Sequence, residues 1–123
     1  MTKYLILLCI PFIIHALSIE SSYEKAHQKA LKEKKILMVF LTQKGCNHCN
    51  IELQKILHTK ELHRIIEKKA LFLIILNTQK ETYPIEMLYT DTYPAIFFLD
   101  ENELFTCKTL HTISIPAIKR CLE

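Results

Sequence analysis

Glycine is almost absent from this chain of 123 residues, which contains a single glycine, Gly45, and no tryptophan. Internal repeats, low-complexity tracts and linkers are missing as well. This composition argues against long flexible loops and indicates a compact domain of helices and strands. Clustered basic charge is also lacking, because the lysines are scattered among glutamates and the formal net charge is only +3. A nucleic-acid-binding surface needs basic residues gathered on one face, so we expect no nucleic-acid partner.

The first 18 residues differ from the rest of the chain. Lys3 supplies a short positive start, residues 4 to 14 form an uninterrupted apolar run, and small residues follow just before position 19. These features are typical of a secretory signal peptide, and the run is shorter than the roughly 20 residues that a membrane-spanning helix needs. We therefore expect a signal peptide over residues 1 to 18, a mature domain over residues 19 to 123, and a periplasmic or secreted protein. The alternatives are an uncleaved membrane anchor and an apolar first strand or helix of the domain.

A mature chain of this length forms one domain. Removal of the first 18 residues would take away Cys9 and would lower the formal charge from +3 to +2, because Lys3 leaves with it. An even number of cysteines would remain, which fits disulfide chemistry in an exported protein. These cysteines are Cys46, Cys49, Cys107 and Cys121.

Helical periodicity and capping residues predict four helical regions. Ser21 and Glu24 form a capping box at the start of the first region, and Ser114 caps the last one with Pro116 in its first turn. The second region is interrupted near Thr59, as one broken helix or as two in succession. The regions span residues 21 to 34, residues 46 to 66, residues 84 to 89, and the residues after Ser114.

Apolar runs and turn residues predict four strands, over residues 36 to 41, 71 to 76, 95 to 99 and 104 to 109. The first two are continuous apolar runs, which suit strands buried on both faces. The first strand-helix-strand unit requires a crossover and hence a parallel pair, whereas a turn at residues 100 to 103 makes the last two strands an antiparallel hairpin. The element order is therefore αβαβαββα. We predict an α/β fold in which a mixed four-stranded sheet carries helices on both faces.

The motif CNHC places Cys46 between a strand and a helix, and Cys49 one turn further along that helix. Unpaired N–H groups and the helix dipole favour a thiolate at the first position, and the thiolate is the attacking species in disulfide exchange. Cys49 lies on the same helix face, close enough to close the ring. Cys46 is therefore the predicted attacking cysteine and Cys49 the resolving one. Asn47 and His48 tune the pair, since His48 favours the Cys46 thiolate and makes the disulfide more oxidising.

Three stretches together resemble the thioredoxin-like family: the strand ILMVFL, the CxxC motif CNHC at a helix start, and TYPAIFFLD as a strand introduced by proline. Small secreted bacterial thioredoxin-related proteins are the most similar branch, since they begin with a lysine-rich helix such as YEKAHQKALKEKK. The resemblance covers nearly all of residues 19 to 123. It implies a thioredoxin-like fold and a protein thiol-disulfide oxidoreductase without a cofactor other than its redox-active disulfide. The partners are expected to be substrate proteins with thiols or disulfides and a membrane redox partner, and the protein is expected to be a monomer.

The resemblance also assigns a role to Tyr93 and Pro94. It implies a cis Tyr93–Pro94 bond beside the dithiol, with the backbone of Tyr93 pairing with the bound substrate. The alternative is a trans proline at the start of an edge strand.

Three departures separate this sequence from the reducing thioredoxins. Gly45 stands where a tryptophan usually precedes the first cysteine, and an Asn-His pair replaces the Gly-Pro pair between the cysteines. The reducing thioredoxins carry a buried acid on the central strand that deprotonates the second cysteine, and its position corresponds to about Phe40 here, so this sequence has no carboxylate there. Attack by Cys49 on a mixed disulfide would then need another base, with water and Glu52 as candidates. The histidine before the resolving cysteine resembles the strongly oxidising periplasmic members.

Two alternatives remain open. Cys107 and Cys121 both point toward the interior of the predicted elements, as a structural disulfide or as two buried free thiols. The second functional hypothesis is a module that binds a soft metal such as Cu(I) through Cys46, His48 and Cys49. The sequence offers no nearby methionine or further cysteine as a ligand, and no second ligand pair of zinc-site spacing. We therefore favour the enzyme and predict no metal site.

Overall fold

The computed structural model describes residues 19, 20 and 22–123. The predicted signal peptide over residues 1 to 18, Cys9 and the predicted cap Ser21 lie outside the described residues. Among the helices of the described part, none has the length and apolar character needed to cross a membrane.

Strands and helices alternate along the described chain. The strands are β1 (Ile19–Glu20), β2 (Ile36–Thr42), β3 (Ala70–Leu76) and β4 (Ala95–Leu99). The helices are α1 (Tyr23–Glu33), α2 (Asn47–His58), α3 (Lys60–Lys69) and α4 (Ile115–Cys121), with a short 3₁₀ turn at Lys80–Thr82.

The sheet is mixed and has three long strands, with β2 in the middle. Strand β2 pairs in parallel with β3, where Val39 lies opposite Leu73, and antiparallel with β4, where Val39 lies opposite Phe97. The parallel pair follows from the crossover through α2 and α3, as predicted. The two-residue strand β1 pairs in parallel with the outer edge of β3, which gives the order β1-β3-β2-β4.

Strand β2 is buried on both faces, which confirms the interpretation of its continuous apolar run. Leu37, Val39 and Leu41 belong to the core on the side of α1, whereas Met38 and Phe40 belong to the core under α2, α3 and α4. Helices therefore cover both faces of the sheet. The CNHC motif follows the carboxyl end of β2, and Cys49 belongs to the second of these cores.

The helix boundaries agree with the sequence in two places and differ in one. The second helical region is divided at Thr59, whose extended backbone (φ −91°, ψ 110°) separates α2 from α3. Ser114 caps α4, and its side chain accepts a hydrogen bond from the Ala117 amide at 3.3 Å. Helix α1 begins one residue later than predicted, because its N-cap is Ser22, whose side chain makes no capping hydrogen bond.

The predicted helix over residues 84 to 89 is not formed. The amides of Met87 and Leu88 both donate to the carbonyl of Pro84, at 3.2 and 3.0 Å, which makes a single turn. A segment this short gains too few hydrogen bonds to offset the cost of fixing its first turn, so the turn does not propagate.

The predicted strand over residues 104 to 109 is also wrong. Isolated bridges join Leu99 to Phe105 and Ile96 to Leu110. Between these bridges β4 advances by three residues and the returning chain by five, so two extra residues bulge out and interrupt the ladder. A bulge of this kind leaves no signal in the alternation of side chains, and Cys107 lies within it.

Candidate active site at the start of helix α2

The chain turns sharply between β2 and α2, and its one glycine lies in that turn. Gly45 has a φ of +74°, which is the left-handed region that side chains disfavour. A side chain there would meet no atom within 4 Å, so the backbone conformation, and not a lack of space, accounts for the glycine. The turn is closed by the Cys46 amide, which donates to the Gln43 carbonyl at 3.4 Å.

Cys46 is the N-cap of α2 and forms a disulfide with Cys49, with 5.2 Å between their Cα atoms. The Cys46 sulfur accepts a hydrogen bond from the Cys49 amide at 3.0 Å, so it occupies the place of the side-chain oxygen in an ordinary cap. Cys46 is half-buried, whereas Cys49 is 1% exposed. The Cys46 sulfur is therefore the more accessible of the two, and it lies where backbone N–H groups favour negative charge.

Asn47 and His48 occupy the exposed first turn of α2, between the two cysteines. That turn carries no acidic side chain that would oppose a thiolate on Cys46. The imidazole of His48 is close enough to Glu52 that its charge helps to lower the pKa of the Glu52 carboxyl. The tuning of the cysteines by Asn47 and His48 stays a prediction.

Glu52 lies one turn beyond Cys49 and is 1% exposed, the only charged side chain that is buried among the described residues. One carboxylate oxygen accepts from the Ile113 amide at 2.6 Å, and the other lies 2.7 Å from the Lys55 ammonium. Burial alone would raise the pKa of Glu52, but these two hydrogen bonds and the charges of Lys55 and His48 hold it below its usual value. A carboxylate stabilised in this way is a weak proton acceptor for Cys49.

The Tyr93–Pro94 bond is cis, and it lies just before β4. The ladder between β2 and β4 ends at the pair of Leu41 and Ala95, so Tyr93 and Pro94 lie beyond the paired backbone. Pro94 is buried and Tyr93 is half-buried. Tyr93 and Cys46 pack against the same core cluster, which brings the two predicted parts of the site to one end of the sheet. Their contact with substrate stays a prediction.

A shallow cavity of about 170 Å³ adjoins Tyr93. Its wall includes Leu41, Ile85 and Tyr89, and Tyr89 is 74% exposed. Apolar surface is therefore available beside the end of the sheet at which the pairing of β2 with β4 stops.

His111 is a residue of this region that the sequence did not reveal. Its Nδ1 lies 2.9 Å from the Pro94 carbonyl oxygen. Because a carbonyl only accepts, the imidazole nitrogen must carry the proton and donate. The two residues are 17 positions apart, and the bridge between Ile96 and Leu110, not any sequence motif, brings them together.

Cys107 and Cys121 form a second disulfide, with 5.2 Å between their Cα atoms and 14 positions between them in the sequence. Cys121 is 2% exposed and lies at the end of α4. Beside it, the Thr106 hydroxyl donates to the Cys121 carbonyl at 2.7 Å. This disulfide ties the bulge after β4 to the last helix, on the sheet face that also holds Cys49.

A metal module is not favoured by these contacts. Within the described part of the chain, no group of three or more histidine, cysteine, aspartate or glutamate side chains converges as a metal site would require. Cys46 and Cys49 are joined to each other, which leaves no thiolate for Cu(I) in this state.

Comparisons with known proteins agree with this geometry. The model of a family described as thioredoxin-like matches residues 18–101. The structure is similar to that of a DsbH oxidoreductase, at 18% identity and a TM-score of 0.69, with 92% of this chain and 89% of that one covered. It is also similar to a poplar thioredoxin h, at 16% identity and a TM-score of 0.60, with 83% and 90% covered.

A third similar structure is a thioredoxin from Thermus thermophilus, at 15% identity and a TM-score of 0.64, with 77% of this chain and 75% of that one covered. No curated protein matches the sequence. At these identities the solved structures support the fold, while the family model covers most of the chain. Together with the Cys46–Cys49 pair, the fold supports a thiol-disulfide oxidoreductase. The chain belongs to the thioredoxin-like family.

Proposed function

We propose that the protein is exported and exchanges disulfides with other proteins through Cys46 and Cys49. The observation that carries the proposal is the asymmetry of the pair. Cys46 is half-buried at the start of α2 with its sulfur facing the Cys49 amide, whereas Cys49 is buried behind it. This asymmetry supports Cys46 as the sulfur that attacks a partner and Cys49 as the one that releases it.

The exchange proceeds in two steps that conserve atoms and electrons. In the reducing direction, the Cys46 thiolate attacks a substrate disulfide, forms a mixed disulfide and expels one substrate thiolate. The Cys49 thiol then loses its proton to solvent and attacks the Cys46 sulfur, which closes the protein disulfide and expels the second substrate thiolate. Two electrons pass from the protein to the substrate, and the two expelled thiolates take up their protons from solvent. The oxidising direction is the reverse sequence.

Surroundings that favour a thiolate on Cys46 stabilise the reduced pair, so we propose a more oxidising couple than that of a reducing thioredoxin. The helix start provides unpaired N–H groups, the first turn of α2 lacks acidic residues, and His48 stands between the cysteines. A stabilised reduced form makes the disulfide the stronger oxidant.

Export supplies the redox conditions that this reaction needs. The apolar start of the sequence supports an exported protein in the periplasm or outside the cell, and all four cysteines of the described chain are paired. In that compartment a membrane redox partner would reset Cys46 and Cys49 after each turnover. We propose a monomer that acts on cysteine-containing polypeptides.

Trapping of mixed disulfides tests the proposal. Replacement of Cys49 by serine removes the resolving thiol, so covalent complexes between Cys46 and partner proteins should accumulate in the exporting cell. They should run as reductant-sensitive bands on a non-reducing gel. The Cys46→Ser variant is the matched control and should give none. If Cys49→Ser produces no more complexes than Cys46→Ser, protein disulfide exchange is not the function.

A further inference from the structure

The buried carboxylate of Glu52 connects two segments that are far apart in the sequence. It lies on α2, three residues after Cys49, and its bond to the Ile113 amide spans 61 positions. An ionised carboxylate is costly to bury unless its oxygens are bonded, and a lost bond would leave the Ile113 amide unsatisfied in the core. The contact therefore holds the residues before α4 firmly against the helix that carries the cysteines.

The same segment holds the residue before β4. Two positions before Ile113, the His111 imidazole donates to the Pro94 carbonyl at 2.9 Å. Residues 111–113 are thus attached to α2 at one end and to Pro94 at the other. A continuous path of contacts runs from α2 through Glu52, Ile113 and His111 to Pro94.

Strand pairing does not fix this region by itself. The pairing of β2 with β4 ends at Leu41 and Ala95, and the chain opposite Pro94 follows the isolated bridge at Leu110. The orientation of the Pro94 carbonyl, and with it the Tyr93 backbone, therefore depends on side-chain contacts. Among the hydrogen bonds described here, those of His111 and Glu52 supply that support.

We propose that Glu52 is a positioning residue for polypeptide substrates, which acts through Ile113 and His111 on the backbone at Tyr93 and Pro94. This inference rests on the proposed exchange with proteins and adds to it the element that shapes the docking edge. A polypeptide needs a correctly oriented backbone edge, whereas a small disulfide needs only access to the Cys46 sulfur. Loss of the contact should therefore slow exchange with polypeptides selectively.

The ion pair with Lys55 is separable from this role. Lys55 is bonded to the other carboxylate oxygen, and its side chain is 43% exposed. Glutamine at position 52 keeps an oxygen for the Ile113 amide but carries no charge. Leucine keeps a similar bulk but has neither the oxygen nor the charge. Lys55→Gln keeps the bond to Ile113 and is the matched control. These variants distinguish a positioning bond from a proton acceptor, because glutamine cannot accept the proton and exchange by Glu52→Gln would then be slow.

The test compares two substrates for the reduced protein: insulin, a polypeptide with disulfides, and glutathione disulfide. Glu52→Leu should lower the second-order rate constant with insulin about tenfold and change that with glutathione disulfide by less than about twofold. Glu52→Gln and Lys55→Gln should stay within about twofold of the wild type with both substrates. His111→Ala should repeat the selective loss, and the double variant should be no slower than the slower single variant, because both act on one path.

Three results would overturn the inference: an equal loss with both substrates, a Glu52→Gln variant as slow as Glu52→Leu, or additive losses in the double variant. If Glu52→Leu does not fold, His111→Ala decides alone, since a rate with insulin equal to that of the wild type would sink the proposal. A wild-type protein that reacts with glutathione disulfide but neither reduces insulin nor oxidises a reduced polypeptide would contradict the proposed function itself. If the wild-type protein reacts with both substrates and the variants react at the wild-type rates, only the role of Glu52 is contradicted.

Discussion

The redox segment (residues 43–52) and the stapled segment (residues 100–121) contain one disulfide each, with the same 5.2 Å between Cα atoms. Their surroundings are opposite. Cys46 lies at the start of α2, where the Cys49 amide faces its sulfur, whereas Cys121 is the last residue of α4, where carbonyl groups and the negative end of the helix dipole lie. The helix start favours a thiolate and the helix end disfavours one.

The two disulfides also close loops of different length. The first joins positions three apart within one helical turn, and the second joins positions 14 apart across the bulge that interrupts pairing with β4. A longer loop loses more entropy when it is closed in the unfolded chain, so the second disulfide stabilises the fold more. The same covalent bond is therefore suited to chemistry at one helix end and to stability at the other.

Removal of each disulfide should have the largest effects, and these effects should differ between the two segments. Cys46→Ser should abolish exchange. The Cys107→Ser, Cys121→Ser double variant should retain exchange and lose about 3 kcal/mol of unfolding free energy, the value expected for a loop of about 15 residues. Denaturant titration and insulin reduction measure the two quantities. Reduction of the Cys46–Cys49 disulfide should cost less stability, because its loop is short and the helix start stabilises the thiolate of the reduced form. If the double variant is inactive but fully stable, the two assignments are reversed.

Reduction potentials should separate the two pairs next. Equilibration with glutathione should place Cys46–Cys49 above about −270 mV and Cys107–Cys121 below about −300 mV, the ranges of more oxidising and of structural disulfides. In the fully reduced protein, iodoacetamide should modify Cys46 first, because it combines access with a favoured thiolate. Mass spectrometry after short exposure identifies the alkylated position. Cys121 alkylated as fast as Cys46 would show that the helix ends do not control reactivity.

The stapled segment is also attached to α1, and this contact should respond to alkali. The Tyr23 hydroxyl donates to a Glu103 oxygen at 2.7 Å. Burial, together with the hydrogen bond to Glu103 and its charge, raises the pKa of Tyr23. A raised pKa in the folded state gives stability that is complete below the unfolded pKa, near 10, and is lost as the pH rises above it.

Tyr23→Phe should therefore cost about 1 kcal/mol at neutral pH and should reduce the loss of stability above pH 10. Urea titrations of both proteins at pH 7 and pH 11 give the comparison, and the neutral rate of insulin reduction should not change. A variant whose stability falls with alkali as steeply as that of the wild type would exclude Tyr23 as the responsive group.

Much of the fold could be predicted because its signals are local. The continuous apolar runs of β2 and β3, the cysteines at a helix start and the Ser114 cap each depend on a few neighbouring residues. The failures have a non-local cause. The bulge that removes the strand at residues 104 to 109 depends on register with β4, and no spacing in the sequence encodes it. The same register brings His111 to Pro94. The hydrogen bond from the Ile113 amide to Glu52 depends on packing between α2 and the segment before α4.

The smallest expected effect concerns the backbone, where each segment has one residue in the left-handed region. Gly45 has a φ of +74° and Glu103 a φ of +61°. Gly45→Ala should cost about 1 kcal/mol, because the added methyl meets no atom but the conformation becomes unfavourable. Glu103→Gly relieves a similar strain and loses the Tyr23 hydrogen bond, each worth about 1 kcal/mol. It also loses a partly exposed contact with His27 at 3.6 Å, which contributes little, so its stability should stay within about 0.5 kcal/mol of the wild type. Denaturant titration of both variants decides the matter. A Glu103→Gly protein that loses as much stability as Gly45→Ala would mean that the contact with α1 outweighs the strain.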